Sequence, residues 1–177
     1  KDNPEDLAVK ITQELKLKKD WNKNNPAAFN VLREAISNLG ILVMQNGVVG
    51  NNNHRVLNVA EFRAFVLIDE YVPLIFLNAR DSANAKVFSL CHELVHIWLG
   101  VDELYNDNFT TNQIFNNGQL ESFCNEVAAE MLLPLSSIQS ALDPQNDIYT
   151  NIKHISKVFN VSELVVCIRL KTKKFIN

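Results

Sequence analysis

Glycine and proline are scarce in this chain, five of each in 177 residues. That excludes collagen-like and linker-like low-complexity architectures. No segment recurs at a fixed period, so solenoids and propellers are excluded as well. Long hydrophobic runs are missing. VPLIFL at 72–77 falls far short of the roughly 20 apolar residues that cross a bilayer, and no secretory signal is visible. A cytoplasmic protein without a membrane partner is the expectation. Cysteine is sparse too: Cys91, Cys124 and Cys167 are odd in number, widely spaced and without a CxxC pair. That is a pattern of reduced thiols rather than of a disulfide framework. What remains, 47% hydrophobic residues over this length, suits one well-buried core.

Positive charge is absent from the middle of the chain. Between Lys86 and Lys153 there is no lysine or arginine, while nine acidic residues give that stretch −9. Residues 153–177 hold six basic residues against Glu163, or +5, within an overall charge of −3. An acidic middle repels nucleic acid and suits a cation or a basic peptide, although most of these acids are accounted for as solvated surface.

Apolar periodicity predicts helices over 4–17 and 26–39, each behind a proline suited to a helix start, with Gly40 ending the second. ILVMQ at 41–45 reads as a strand and NGVVGNNNH at 46–54 as a polar loop. FVLID (65–69) and PLIFLN (73–78) read as two more strands joined by a short turn. Asp81 or Ser82 can cap a helix that runs to Leu99 and stops at Gly100. Residues 101–119 read as loop, 120–133 as a helix ended by Pro134, and 134–141, 148–159 and 162–171 as shorter helices. Strands early and helices late argue for an α+β fold, a small mixed sheet packed on a mainly helical body.

One of these helices carries an anomaly. FSLCHELVHIWLG (88–100) reads as a buried helix, yet it holds His92, Glu93 and His96, and unpartnered burial of such groups costs several kcal/mol. His92-Glu93-Leu94-Val95-His96 is HExxH. Positions four apart lie about 40° and 6 Å from one another on a helix, so both imidazoles can converge on one ion. Glu93, about 100° round from His92, is placed beside that ion as a general base, the arrangement of a zinc peptidase. The bland alternative is a pair of core histidines satisfied by backbone carbonyls.

A catalytic zinc needs a third protein ligand, and two residues compete. Asp102 lies six residues after His96, where one class of zinc peptidase places its ligand behind HExxHxxG; here the glycine comes one residue late, at Gly100. In ESFCNEVAAEMLLP (121–134), Glu121 and Asn125 fall on the same side of the helix as Ala128 and Leu132, interrupting an apolar stripe. Glu126 and Glu130 fall on the opposite side and are expected in water. Two such anomalies on two helices cancel if they share one metal. Glu121 is therefore the expected third ligand, with Asn125 hydrogen-bonding a ligating imidazole.

HELVH followed by ESFCNEVAAEMLLP resembles the ImmA/IrrE family of zinc metallopeptidases. EFRAFVLIDEYVPLIFLNARDS (61–82) resembles the region ahead of that motif in members fused to an N-terminal XRE-like helix-turn-helix domain. The resemblance spans about residues 26–134. It implies a minimal zincin-like domain, His92, His96 and Glu121 as ligands of one catalytic Zn2+ (a glutamate third ligand, as in gluzincins), and Glu93 as the catalytic base. It also implies cleavage of helix-turn-helix repressors of phages, mobile elements or stress regulons. Ala64 stands where the family has glycine and Cys91 where a smaller residue is commoner; neither is a proposed ligand. On this reading residues 1–147 form the peptidase domain and 148–177 a C-terminal helical subdomain. The alternative is a regulatory module that holds a metal, grips a repressor or DNA, and cuts nothing.

ISKVFNVSELVVCIRL (155–170) has helix-turn-helix spacing. DNA contact is the lesser expectation there, because the second helix has few exposed residues suited to reading bases. His54, His154, Tyr71, Tyr105 and Tyr149 are further candidates to assist an oxyanion, and spacing selects none of them. The substrate is expected to lie extended, pairing with an edge strand such as 73–78.

Overall fold

The computed structural model describes residues 3–100 and 117–176. The fold is α+β. Two helices, α1 (Pro4–Glu14) and α2 (Ala28–Ser37), precede β1 (Leu42–Asn46), β2 (Val48–Val49), β3 (Asn52–Val56), β4 (Ala64–Leu67) and β5 (Leu74–Asn78). Helices alone follow: α3 (Ala83–Leu99), α4 (Asn117–Leu132), α5 (Leu135–Ala141), α6 (Ile148–Phe159) and α7 (Glu163–Thr172).

Short polar side chains set most helix starts. Asn3 Oδ1 accepts from the Asp6 N–H at 2.8 Å ahead of Pro4, and Ser162 Oγ accepts from the Val165 N–H at 3.2 Å. Such caps satisfy amides that have no partner within the helix. α1 stops three residues short of expectation, where Lys16 turns to φ +54°. Asn160, at φ +53°, ends α6, a conformation that asparagine tolerates better than most residues.

The main sheet has the order β1-β5-β4. β1 runs parallel to β5, with Leu42 opposite Leu74, and β4 runs antiparallel to it, with Ala64 opposite Leu77. This corrects the expectation that 73–78 is an edge. β5 is hydrogen-bonded on both sides, and the edges are β1 and β4. The expected polar loop at 46–54 is also corrected. Its residues build the hairpin β2–β3, turned at Gly50 with φ +57°. β3 is exposed throughout, so it shows no apolar alternation from which a strand could be read.

α3 packs on β4, β5 and α4, and α1 lies along α4. One apolar cluster joins Ile11 and Leu32 of the first helices, Ile75 and Leu77 of β5, and Leu90 and Leu94 of α3. It continues through Cys124 and Ala128 of α4, Ile155 and Phe159 of α6, and Val166 and Leu170 of α7. Buried amides tie the segments together: Asn22 Nδ2 donates to Leu132 O at 2.9 Å and to Phe159 O at 2.6 Å. Glu130 is the largest departure from expectation. It is buried, ion-paired to Arg169, and accepts from the Leu135 N–H at 3.2 Å. Among the described residues no helix is long and apolar enough to cross a membrane.

Candidate metal centre

α3 is fixed at both ends and along one side. Ser82 Oγ accepts from the Ala85 N–H at 3.3 Å, and Gly100, at φ +67°, donates its N–H to Ile97 O at 3.0 Å. Leu90, Cys91, Leu94 and Val95 are wholly buried, so the rotation of the helix about its axis is set by packing. That rotation brings the His92 and His96 imidazoles together, with ring centroids 4.8 Å apart. Phe88, one turn earlier, stacks on the His92 ring at 6.3 Å and 28°.

α4 supplies the third group. Cys124, Val127 and Ala128 are wholly buried, and Glu121, three residues before Cys124, reaches both imidazoles with one carboxylate. Its Oε2 lies 3.2 Å from His92 Nε2 and its Oε1 3.3 Å from His96 Nε2, while the two Nε2 atoms are 3.0 Å apart. His96 is inaccessible to solvent, and the Glu121 side chain keeps 38% of its surface exposed. The cluster is therefore closed on the helix side and open on the carboxylate side.

The donor set fits a small cation. Ligands about 2.0–2.2 Å from a tetrahedral ion stand roughly 3.3–3.6 Å from one another. The observed 3.0–3.3 Å lies between the lower limit of that range and a few tenths of an ångström below it. Two imidazole nitrogens and a carboxylate are also ligands that zinc accepts. Glu93 follows His92 on α3 and is buried. Burial pushes the Cys91 thiol up from its ordinary range, so this residue stays neutral and fills space.

The remaining candidates separate. Asn125 is exposed rather than part of an apolar stripe; it lines a groove beside the cluster. His54 on β3, His154 and Tyr149 on α6, and Tyr71 are all exposed. Asp102 and Tyr105 lie outside the described residues. Sequence reasoning gave Phe88 no role, though an aromatic four residues before a ligand-type histidine is placed to contact it.

Residues 36–171 match the family model of peptidase M78, described as the IrrE N-terminal-like domain. The chain belongs to this family. The match runs from the end of α2 into α7, so at its C-terminal side it extends past residue 134, where the resemblance in the sequence ends, and takes in α5 and α6. It marks the chain as a metallopeptidase-type domain, and the His92–His96–Glu121 cluster is its candidate metal site. No curated protein matches the chain.

Proposed function

We propose that this domain is a zinc-dependent endopeptidase that hydrolyses a peptide bond in a helix-turn-helix transcriptional repressor of a phage, mobile element or stress regulon. The observation that carries this reading is the convergence of His92 Nε2, His96 Nε2 and the Glu121 carboxylate to within 3.3 Å of one another. They arrive from two separate helices, with a buried glutamate next to the first histidine. His92, His96 and Glu121 would hold the ion. When bound there, a divalent cation supplies Lewis-acid polarisation of the scissile carbonyl and makes water more acidic.

The chain's own residues supply the rest. Glu93 takes a proton from the attacking water and returns it to the leaving amine, as a single general base and acid. Phe88 limits how far the His92 ring can swing. Asn125, one turn beyond Glu121, offers an amide to steady the ligand shell or the substrate backbone. The corrected sheet makes β4, which packs against α3, the edge available to an extended substrate. The family resemblance supports a repressor as substrate and an XRE-like domain ahead of this one.

The test is incubation of the metallated protein with the repressor encoded beside it, read by mass spectrometry of fragments. Discrete cleavage by the native chain and none by Glu93→Gln is expected. A stoichiometric complex that is never cut would contradict the proposal and favour a non-catalytic regulatory module.

A further inference from the structure

A groove of about 1050 Å³ opens between α3, α4 and α7. Small-molecule pockets occupy roughly 300–1,000 Å³, so this one is large enough for a stretch of polypeptide. It adjoins the metal cluster through shared neighbours. Phe88, stacked on His92, lines one wall, and Ser122 and Asn125, within one turn of Glu121, line another. The facing wall is α7. There Leu164 and Ile168, one turn apart, are 68% and 52% exposed. Adjacent exposed apolar side chains on the rim of a cleft mark an interaction surface more often than idle solvent-facing residues.

The charges lining the groove are not balanced. Arg63 is paired with Asp81 at 2.9 Å, and Arg169 with the buried Glu130. Glu126 and Glu163 are exposed and form no salt bridge among the described residues, although Lys153 on α6 lies within electrostatic reach of Glu163. The groove thus presents Leu164 and Ile168 on α7, and with both arginines already paired its exposed carboxylates are the groups left to meet a ligand's charge.

We propose that this groove binds the stretch of substrate protein flanking the scissile bond. That stretch carries apolar side chains against Phe88, Leu164 and Ile168, and a basic side chain between Glu126 and Glu163. The proposal rests on the peptidase reading above and names the kind of sequence that reading selects. It also gives the α6–α7 pair a task. A helix-turn-helix reads bases with the N-terminal residues of its second helix, and here those residues are Glu163 and Leu164. A carboxylate there repels phosphate, whereas a leucine beside it suits a peptide. Lys171 lies at the opposite end of α7 and Lys174 just beyond it.

The test measures binding without turnover. Glu93→Gln protein is titrated by fluorescence anisotropy with a labelled peptide of about 12 residues containing leucine, serine and lysine. The comparison probes are the same peptide with each lysine replaced by glutamate, and a short DNA duplex. The lysine peptide is expected to bind at least about tenfold more tightly than the glutamate peptide. Leu164→Asp with Ile168→Asp should weaken it by a similar factor at unchanged Tm, both sites being exposed. Glu126→Lys with Glu163→Lys should invert the preference. Equal binding of the two peptides, or indifference to the α7 changes, would overturn the proposal. So would a duplex that displaces the lysine peptide, since it would assign the surface to DNA. Because cleavage is not measured, a native chain that never cuts would sink the peptidase reading and leave groove binding standing. A native chain that cuts both peptides equally would do the reverse.

Discussion

The two ends of α4 each hold a carboxylate against polar partners, Glu130 buried and Glu121 half-exposed, and they do so for opposite reasons. At Glu130 the carboxylate meets a group of opposite charge: Arg169 pairs with it, and Arg169 Nε also donates to Leu133 O at 3.2 Å. The pair satisfies itself. At Glu121 the carboxylate meets two imidazole nitrogens at 3.2 and 3.3 Å, groups that share with it the capacity to accept from a cation. A cluster of acceptors is completed from outside; a pair of opposite charges is complete already. In α4 the carboxylate whose partners carry lone pairs of the same kind marks the candidate site, and the one paired with an opposite charge marks structure.

The largest expected effect breaks the comparison at its functional end. Glu93→Gln keeps the shape and the metal but removes the base, so turnover should fall by about 10²–10⁴-fold with unchanged metal content. Turnover above a tenth of the native rate would remove Glu93 from the mechanism. Glu121→Ala should lower metal affinity by more than the roughly 10–100-fold that supporting residues are worth. Asp102→Ala, assayed alongside, should leave it unaltered. Isothermal titration with zinc reads both.

The other end of α4 is tested by denaturation. Arg169→Ala leaves the Glu130 carboxylate buried without its partner and should cost about 3–5 kcal/mol. The double change Glu130→Leu with Arg169→Met should recover most of that loss. Zinc affinity should persist in the double variant, because Glu121 lies more than two turns away along the helix. Loss of metal binding there would mean that the two ends of α4 are coupled and the comparison is wrong.

The smallest effect concerns a helix cap far from either end. The Asp147 carboxyl is held below the usual carboxylate range by the Thr150 hydroxyl, which donates to Oδ2 at 2.7 Å, and by the Thr150 N–H, which donates to Oδ1 at 2.9 Å. A depressed value means that the cap's contribution is complete above the unfolded value near 3.9 and is lost as pH falls through the lower folded value. Asp147→Ala should lower Tm slightly at pH 7, and the difference from the native chain should shrink below about pH 4. A difference that grows in acid would reverse the sign.

Much of the site was legible in the sequence because its signals are local. HExxH lies within one turn of helix, and Ser82 and Gly100 mark that helix's ends by side-chain and backbone chemistry alone. Glu121 was legible as a carboxylate on an apolar stripe. The same reasoning misjudged the exposure of Glu130 and Asn125, since it assumed that α4 has one buried face. Packed by α3 and α1 and pinned by Arg169, α4 is buried around much of its circumference, from Cys124 and Val127 to Glu130 and Met131. Asn125 is exposed where the groove opens. An arginine inside VVCIRL at 165–170 was the available sign of a buried carboxylate elsewhere. β2–β3 went unread because a hairpin with no buried face leaves no apolar pattern.

The most direct measurement is anomalous diffraction at the zinc edge from crystals of the metallated chain. A single peak about 2.0–2.2 Å from His92 Nε2, His96 Nε2 and a Glu121 oxygen is the predicted result. No peak among those three atoms, or a zinc ion bound elsewhere with all three intact, would contradict it.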